Sequence, residues 1–305
     1  MRAASPSPID VLSRLVPAER RRDELSIVVG LLGRGIGASR SPIMHEREGA
    51  RLGLNYAYRL IDFDRLGLDD AALGEVIASA EELGFAGLNV THPFKQSVVP
   101  FLNGLSPEAE AIGAVNTVVF GDGRRLGHNT DSWGFAQSFR KEMADCSLAD
   151  VLQLGAGGAG AAVAYALLEM GAKRVSIFDK AAPRAAELAA RLGGRFGPRV
   201  QALVELENTL SHASGIVNAT PVGMEKYPGL PFDGKLLSTR PWVAEVIYFP
   251  PETELLRLAQ ERGCRTLSGL GMAIYQALRA FELFTGVAPD RAAMTAHFAA
   301  GGRAC

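Results

Sequence analysis

The middle of the chain carries a row of small residues typical of a phosphate-binding turn, Gly155-Ala156-Gly157-Gly158-Ala159-Gly160. An apolar run (151–154) precedes it, an Ala-rich stretch (161–170) follows, and a second apolar run (174–178) ends in Asp179. In such a strand–turn–helix–strand unit the glycines let the backbone approach a pyrophosphate, which the helix N-terminus stabilises, and a carboxylate roughly 20 residues further on holds the ribose hydroxyls. The pattern predicts a dinucleotide site, and a nucleotide-free packing turn is the alternative.

Four polar clusters precede this glycine turn, each at a predicted strand end or in a loop: 39–42, 89–95, 113–117 and 127–131. Ser39 and Ser41 could bind a carboxylate or vicinal alcohols, or could cap the helix that Pro42 begins. Lys95 could equally be a solvated surface lysine, and Asp131 could be a helix cap. Each cluster alone is weak evidence, but together, in this order ahead of a central glycine turn, they are specific.

Apolar runs and helical spacings alternate along the chain, which is typical of an α/β fold with mainly parallel sheets covered by helices. Before the glycine turn we predict helices over 42–52 and 66–83 and strands over 26–32, 56–61 and 86–91. The strands 115–120 and 125–128 are predicted to form a hairpin. After the turn we predict strands over 200–203, 215–218 and 243–247. We predict helices over 183–192, 252–262 and 270–284.

We expect two domains from this length and pattern. Residues 131–268 should form a Rossmann-type, doubly wound dinucleotide-binding domain. Residues 25–130 and 269–305 should form a mainly parallel α/β domain to which the C-terminal helices return, with a hinge near 129–132. Residues 1–24 are interpreted as an N-terminal extension that is partly helical around 9–15.

Composition narrows the class of protein further. A formal net charge of −1 over 305 residues argues against nucleic acid or an anionic membrane as a main partner. Cys146, Cys264 and Cys305 are widely spaced, so neither a zinc site nor a disulfide framework is expected, and Arg20-Arg21-Arg22 is flanked by acids as on a solvated face. The first 25 residues hold no apolar stretch long enough for a signal peptide. We expect a cytoplasmic protein, a monomer or homodimer, without a metal.

Taken together, the motifs resemble those of the shikimate dehydrogenase family over nearly everything from Val29 to Gly286. The upstream clusters contain Ser-x-Ser-Pro, Asn-Val-Thr-x-Pro-x-Lys, Gly-Ala-x-Asn-Thr and Gly-x-Asn-Thr-Asp. The downstream motifs are Asn-Ala-Thr-Pro-Val-Gly-Met (218–224), Tyr248-x-Pro250, and Gly-Leu-Gly-Met (269–272) with Gln276. So many motifs in one order make chance similarity a poor explanation.

The resemblance implies roles for individual residues. Ser39 and Ser41 would bind a substrate carboxylate, and Lys95 and Asp131 would form the catalytic pair. Further substrate contacts would come from Thr91, Asn116, Tyr248 and Gln276. The implied cofactor contacts are Gly155, Ala156, Gly157, Gly158, Ala159, Gly160, Asp179, Lys180, Arg184, Asn218, Ala219, Thr220, Pro221, Met224, Gly269 and Met272.

The chemistry of alcohol oxidation agrees with the implied catalytic pair. A proton must leave the alcohol oxygen while hydride goes to the nicotinamide. A lysine can take that proton if burial lowers its pKa towards neutrality. A nearby carboxylate favours the charged amine and holds it in line with the reacting hydroxyl. The residue types leave open whether Lys95 or Asp131 dominates the proton transfer.

The segment after the second cofactor strand departs from the commonest pattern of the family. Biosynthetic members usually carry Asn-Arg-Ser or Asn-Arg-Thr there, whose arginine grips the 2′-phosphate of NADP, whereas this chain has Asp179-Lys180 and, further on, Arg184. A carboxylate accepts hydrogen bonds from both ribose hydroxyls and repels a phosphate. We therefore predict NAD, with NADP as a weaker alternative because Lys180 and Arg184 soften the repulsion.

The same segment is similar to the branch of the family that uses quinate and shikimate with NAD. Ser41 stands where quinate-accepting relatives sometimes have Thr, which favours shikimate. An aminoshikimate-type substrate, another two-domain enzyme such as a methylenetetrahydrofolate dehydrogenase, and a catalytically silent ligand-sensing homologue are the alternatives. The Ser-x-Ser and Gln276 pattern disfavours the folate enzyme, and intact Lys95 and Asp131 disfavour the sensor.

Overall fold

The computed structural model describes residues 7–16 and 26–300, the last of these without its side chain. The described chain divides into two compact units. The first unit runs to Thr130 and resumes at Ala277, and the second is Asp131–Gln276. We expected the return to the first domain at residue 269, whereas residues 269–276 belong to the second unit in the structure.

The first unit contains a six-stranded sheet of order β2-β1-β3-β5-β6-β4. Its strands are β1 (Ser26–Gly33), β2 (Asn55–Asp62), β3 (Gly87–Val90), β4 (Gly104–Leu105), β5 (Thr117–Gly121) and β6 (Arg124–His128). Its helices are α1 (Pro8–Leu15), α2 (Ser41–Arg51), α3 (Phe63–Leu66), α4 (Leu73–Glu82), α5 (Pro107–Ile112) and α12 (Arg291–Ala300). Strands β1, β2 and β3 are parallel, and β5 pairs antiparallel with β3 and β6.

Strand β1 shows why this sheet is covered on both faces. Its side chains alternate, so Val28 and Leu32 enter a core cluster with α4, while Val29 and Leu31 enter another with the C-terminal end of a later helix at Phe281. All four are buried. Because neither face of this strand contacts solvent, its sequence is apolar at consecutive positions rather than alternating.

The single helix predicted over 66–83 is wrong in its first part. Helix α3 ends at Gly67, whose φ of +65° is left-handed, and a 3₁₀ turn (Asp70–Ala72) separates it from α4. Glycine adopts that φ without steric cost and terminates helices in this way. Leu68 is buried although it lies outside both helices, so the apolar spacing continued across the break.

Part of the N-terminal extension belongs to the first unit. The predicted helix around 9–15 is present as α1, and Leu12 and Val16 are fully buried in the core cluster of β1 and α4. Residues 7–16 are therefore packed chain rather than an appendage. The cluster Arg20-Arg21-Arg22 and Cys305 lie outside the described residues.

The second unit contains a six-stranded sheet of order β12-β11-β10-β7-β8-β9 in which every pairing is parallel. Its strands are β7 (Asp150–Leu154), β8 (Arg174–Phe178), β9 (Val200–Ala202), β10 (Gly215–Asn218), β11 (Trp242–Glu245) and β12 (Thr266–Leu267). Its helices include α7 (Gly158–Glu169), α8 (Ala182–Phe196), α9 (Glu207–Leu210) and α10 (Glu254–Glu261). The strand order reverses between β7 and β10, which confirms the predicted doubly wound α/β sheet.

Two further helices begin and end the second unit: α6 (Thr130–Glu142) and α11 (Gly269–Thr285), which continues into the first unit. A Cβ at Gly134 would lie 2.7 Å from the carbonyl oxygen of Met272, and one at Gly271 would overlap the Ser138 hydroxyl. The two helices therefore pack closely at these glycines, Gly134 against the backbone of α11 and Gly271 against the Ser138 side chain. This contact joins residues 269–276 to α6 of the second unit.

Within the described ranges, no helix is both long and apolar enough to cross a membrane. Cys146 and Cys264 are free thiols.

Candidate functional site

The glycine turn lies at the carboxyl end of β7, where the strand order reverses. Gly155 has a φ of +96°, and a Cβ there would lie 2.7 Å from the carbonyl oxygen of Ala219. At Gly160 a Cβ would lie 2.3 Å from the Gly155 carbonyl oxygen, whereas at Gly157 it would meet no described atom within 4 Å. The first and third glycines are thus required for packing, and Gly157 leaves open space for a phosphate before α7.

The carboxylate of Asp179 is fixed beside this turn. Its Oδ2 accepts a hydrogen bond of 2.8 Å from the backbone nitrogen of Ala156, and its Oδ1 accepts one of 2.8 Å from that of Ala181. Asp179 is half-buried, while Lys180 and Arg184 are exposed. A carboxylate oriented in this way at the end of the second strand can accept the hydroxyls of a ribose.

Gln153 holds the glycine turn by hydrogen bonds, a role that was not predicted from sequence. Its Nε2 donates to the carbonyl oxygens of Gly155 (2.9 Å) and Gly160 (2.8 Å) from the centre of β7, where Gln153 is fully buried. An amide in an otherwise apolar strand was a visible signal. Such a residue is retained where buried backbone groups need a partner.

The segment 218–224 follows β10 and packs against the glycine turn, since Ala219 donates its backbone N–H to the Leu154 carbonyl oxygen at 2.8 Å. Asn218 organises this segment. Its Oδ1 accepts from the backbone nitrogen (3.1 Å) and hydroxyl (2.7 Å) of Thr220, and its Nδ2 donates to the Val222 carbonyl oxygen at 2.8 Å. Asn218 is fully buried, and these bonds shape the loop.

Glu245 stands beside Asn218 on β11 and was also missed. Both of its oxygens lie 3.1 Å from the donating Nδ2 of Asn218, and the Thr253 hydroxyl donates to Oε1 at 2.9 Å. Burial raises the pKa of Glu245 to about 7, against the opposing effect of the bonds from Asn218, Thr253 and the Ile247 backbone. Like Gln153, Glu245 is a polar residue in an apolar strand, but the sequence does not show what it bonds, because its partners Asn218 and Thr253 come from other elements.

The rest of the segment is more open. Met224 is exposed at 40%, its backbone N–H donates to the Pro221 carbonyl oxygen at 3.1 Å, and Tyr248, in the loop after β11, is exposed at 41%. Gly269 donates to the Ile247 carbonyl oxygen at 3.1 Å, and a Cβ on it would lie 2.4 Å from the Val246 carbonyl oxygen. Met272 is buried one turn further along α11.

Asp131 and Gln276 lie on the two helices of the second unit that touch through Gly134. Asp131 is buried and is the second residue of α6, so it lies inside the helix rather than capping it. The first turn of a helix favours a negative side chain. Gln276 is half-buried on α11, where its Nε2 donates to the Ala273 carbonyl oxygen at 3.0 Å, and a Cβ at Gly134 would lie 2.9 Å from the Gln276 backbone nitrogen.

In the first unit Ser39 and Ser41 lie in the loop from β1 into α2. The Ser39 hydroxyl accepts a hydrogen bond of 3.3 Å from the Ser41 backbone nitrogen, and Arg40 is the residue that precedes the helix. Both serines are half-exposed. Arg40 donates to the Phe298 carbonyl oxygen at 3.3 Å and lies 5.0 Å from its ring centroid, so α12 holds this loop.

Lys95 and Thr91 follow β3. Thr91 donates its backbone N–H to the Leu32 carbonyl oxygen at 2.9 Å, which places the ends of β1 and β3 side by side. Lys95 is half-buried, and its carbonyl oxygen accepts from the Val115 backbone nitrogen at 2.7 Å. The structure therefore brings the second and third polar clusters together at one edge of the sheet.

Asn116 lies in a buried polar network at this edge. Its Oδ1 accepts from the Thr130 backbone nitrogen at 2.8 Å and its Nδ2 lies 2.9 Å from the Thr130 hydroxyl. Behind it, Tyr58 donates to Asn89 Oδ1 at 2.8 Å, and Asn89 donates to the Thr117 hydroxyl at 3.0 Å. The network fixes Thr130, the residue that immediately precedes Asp131 in the chain. Tyr58 was not singled out from sequence, and Thr117 was named only as part of the third polar cluster.

Three histidines lie within or next to the motifs named above, His45, His92 and His128. His45 is buried on α2 against Tyr58 and Phe281, its Nδ1 lies 3.0 Å from the Tyr56 hydroxyl, and burial lowers its pKa to about 3. His92 is exposed and His128 is half-buried. In the part of the chain that the structure describes, no group of three or more His, Cys, Asp or Glu residues could hold a metal ion.

Family models match three stretches of the chain. Residues 31–118 match the shikimate dehydrogenase substrate binding domain, residues 137–223 match shikimate/quinate 5-dehydrogenase, and residues 269–297 match the shikimate 5′-dehydrogenase C-terminal domain. These stretches contain the upstream polar clusters up to residue 117, the glycine turn, and the Gly-Leu-Gly-Met segment.

Individual relatives extend the match to most of the chain. A shikimate dehydrogenase (NADP⁺) of Streptomyces avermitilis is 55% identical over 90% of this chain and 95% of its own length. A quinate/shikimate dehydrogenase (NAD⁺) of Corynebacterium efficiens is 45% identical over 90% of this chain and 98% of its own. The solved structure of quinate dehydrogenase from Corynebacterium glutamicum in complex with NAD covers 90% of this chain and 99% of its own, with 44% identity and a TM-score of 0.85.

Proposed function

Because the chain belongs to the shikimate dehydrogenase family, we propose that it reversibly oxidises the C3 hydroxyl of shikimate, quinate or both, with NAD as the preferred cofactor. It is an NAD(P)-dependent oxidoreductase, and its relatives divide between NADP-named and NAD-named enzymes. The observation that carries the NAD preference is the carboxylate of Asp179, fixed by two backbone N–H groups beside the glycine turn.

The residues present fit a dinucleotide. The open space at Gly157, the N-terminus of α7 and the oriented Asp179 are the features that a pyrophosphate and a ribose require. Bound there, the nicotinamide would supply the acceptor for hydride from the alcohol carbon. Lys180 and Arg184 are exposed cations next to Asp179, so NADP would be a poorer rather than an excluded cofactor.

In the proposed reaction Lys95 takes the hydroxyl proton from the substrate, and Asp131 holds the ammonium and the hydroxyl in line. Ser39 and Ser41 bind the carboxylate. The ring hydroxyls contact Thr91, Asn116, Tyr248 and Gln276. The half-buried position of Lys95 and the buried position of Asp131 support these roles, as does the rigid network around Asn116.

In this proposal residues 25–130 and 277–305 form the substrate-binding domain, and residues 131–276 form the cofactor-binding domain. The active species is a monomer or homodimer.

The direct test is the absorbance of NADH formed from NAD with shikimate, quinate and aminoshikimate in turn, repeated with NADP. We expect turnover with shikimate or quinate and a higher kcat/KM for NAD than for NADP. Turnover with aminoshikimate alone would assign the enzyme to that substrate. NAD binding without turnover of any of the three would indicate a sensor.

A further inference from the structure

Glu245 is a buried carboxylate at the end of β11 that the proposed reaction does not use. It is 1% exposed and directly opposite Asn218 in the parallel register of β10 and β11. The groups that surround it are all donors: the Asn218 amide, the Thr253 hydroxyl and the Ile247 backbone N–H. An ionised carboxylate, which only accepts, satisfies all three.

Asn218 connects Glu245 to the loop 218–224 by hydrogen bonds. One amide hydrogen of Asn218 faces Glu245 and the other bonds the Val222 carbonyl oxygen, while its Oδ1 holds Thr220. The Thr220 hydroxyl accepts in turn from the Val222 backbone nitrogen at 3.1 Å. Gly223 (φ = +115°) then packs on Thr253, which caps α10 through the Leu256 backbone nitrogen. The loop is thus fixed at both ends by residues bonded to Glu245.

This loop lies on the side of the glycine turn away from Asp179. Ala219 and Thr220 contact Gly155 from β10, whereas Asp179 contacts the same turn from β8. A dinucleotide at a topological switch point crosses from one side to the other. With its adenosine ribose at Asp179, its reactive end lies at the loop after β10.

We propose that Glu245 is a positioning residue for the reactive end of the cofactor, acting through Asn218 to hold Thr220 and Val222 in place. This proposal rests on the proposed function in one respect, the identification of the reactive end of the cofactor as its nicotinamide. The bonding of the loop is independent of the substrate.

Protonation of Glu245 should loosen the loop. A protonated carboxyl accepts less strongly and carries a hydrogen of its own, which has to compete with the three groups that donate to Glu245. Burial raises the pKa of Glu245 to about 7, so this change falls in the physiological range.

The charged groups on the elements around Glu245 are few. Neighbouring strands β10 and β12 (Gly-Ile-Val-Asn and Thr-Leu) carry none. Around α10, Glu252 and Glu254 are exposed and Arg257 is paired with Glu261. The titration of Glu245 is therefore set by its burial and its hydrogen bonds.

The test is NAD affinity measured by calorimetry without substrate between pH 6 and pH 8.5, for the full chain and for E245Q, E245D and E48Q. NADP replaces NAD if it binds more tightly. Glutamine is isosteric but cannot ionise, whereas aspartate keeps the charge. Glu48, equally buried but on α2 of the first unit, is the matched control. Thermal unfolding confirms that each variant is folded.

We expect the wild type to bind NAD more weakly as the pH falls below about 7. E245Q should bind roughly tenfold more weakly at pH 8 and show no such pH dependence. E245D should recover part of the dependence, and E48Q should keep it. In steady state E245Q should lose kcat by at least as much as affinity, because a displaced nicotinamide reacts poorly.

Two results would overturn the inference: an E245Q variant with wild-type affinity and pH profile, or equal pH profiles for E245Q and E48Q. Absence of turnover with shikimate and quinate, combined with the expected pH-dependent NAD affinity, would remove the proposed substrates and leave the role of Glu245 standing.

Discussion

Asp179 Oδ2 accepts a hydrogen bond of 2.8 Å from the backbone nitrogen of Ala156, which ties the end of β8 to the turn after β7. The second oxygen accepts from Ala181, so the carboxylate has one fixed orientation. In the proposed function this charge accepts the ribose hydroxyls of NAD and repels the 2′-phosphate of NADP. The hydrogen bond that shapes the glycine turn therefore also orients the carboxylate on which the proposed NAD preference depends.

Removing the charge of Asp179 should change cofactor preference. In D179A and in the isosteric D179N, we expect kcat/KM for NAD to fall about 10- to 100-fold, because hydrogen bonds to a charged acceptor are lost, and to fall less for NADP. Steady-state kinetics with both cofactors measures the ratio. An unchanged NAD/NADP ratio in both variants would contradict the assignment.

Lys180 and Arg184 should account for any residual use of NADP. Both are exposed, so reversing their charges in K180E/R184E should leave the fold intact and weaken NADP selectively. We expect a several-fold rise in KM for NADP that shrinks at high salt, with little change for NAD. Equal effects on both cofactors would show that these cations do not face the 2′ position.

Loss of Lys95 should stop chemistry without stopping cofactor binding. We expect K95A to lower kcat by about 10²- to 10⁴-fold, the usual contribution of a general base, with the Kd for NAD unchanged. D131N, which keeps the size of the side chain, should also lower kcat. Near-normal turnover in K95A would remove Lys95 from the catalytic role.

The raised pKa of Glu245 should appear in stability as well. Burial disfavours the ionised form of Glu245 by more than its hydrogen bonds favour it, so folding favours the protonated form although that form bonds the loop less well. The stabilising contribution is complete below the unfolded pKa of about 4.5 and is lost as the pH rises through about 7. The expected loss is at most about 3 kcal/mol. Chemical denaturation at pH 5 and pH 8, followed by fluorescence of the buried Trp242 in the second unit, measures it. E245Q should lose less than the wild type over this interval.

The lowered pKa of His45, in the first unit, should make the protein less stable as the pH falls. Burial lowers its pKa from 6.5 to about 3, so folding requires the neutral ring and stability is lost as the pH falls below 6.5. The variant H45Q cannot take up a proton and should lose less stability between pH 6.5 and pH 4. Denaturation curves at several pH values compare the two proteins, and parallel curves would contradict the expectation.

The sequence alone determined features that depend on neighbouring residues. The strand–turn–helix unit around 155–160, strand β8 at 174–178, strand β10 at 215–218 and the α/β class all followed from local apolar runs and glycine spacing. Asp179 could be singled out because its distance from the turn is a distance along the chain. The predicted helix over 66–83 was wrong in part because apolar spacing persisted across Gly67, where the backbone turns left-handed.

Only the tertiary structure decided which polar residues support the site. Glu245 meets Asn218 across two strands, and Tyr58 reaches Asn89 from another. Residues 269–276 belong to the second unit, where Gly134 and Gly271 let two helices distant in sequence pack closely. The physical reason is common to all: a buried polar group must find its partner in space, and that partner lies on a strand or helix that no local pattern identifies.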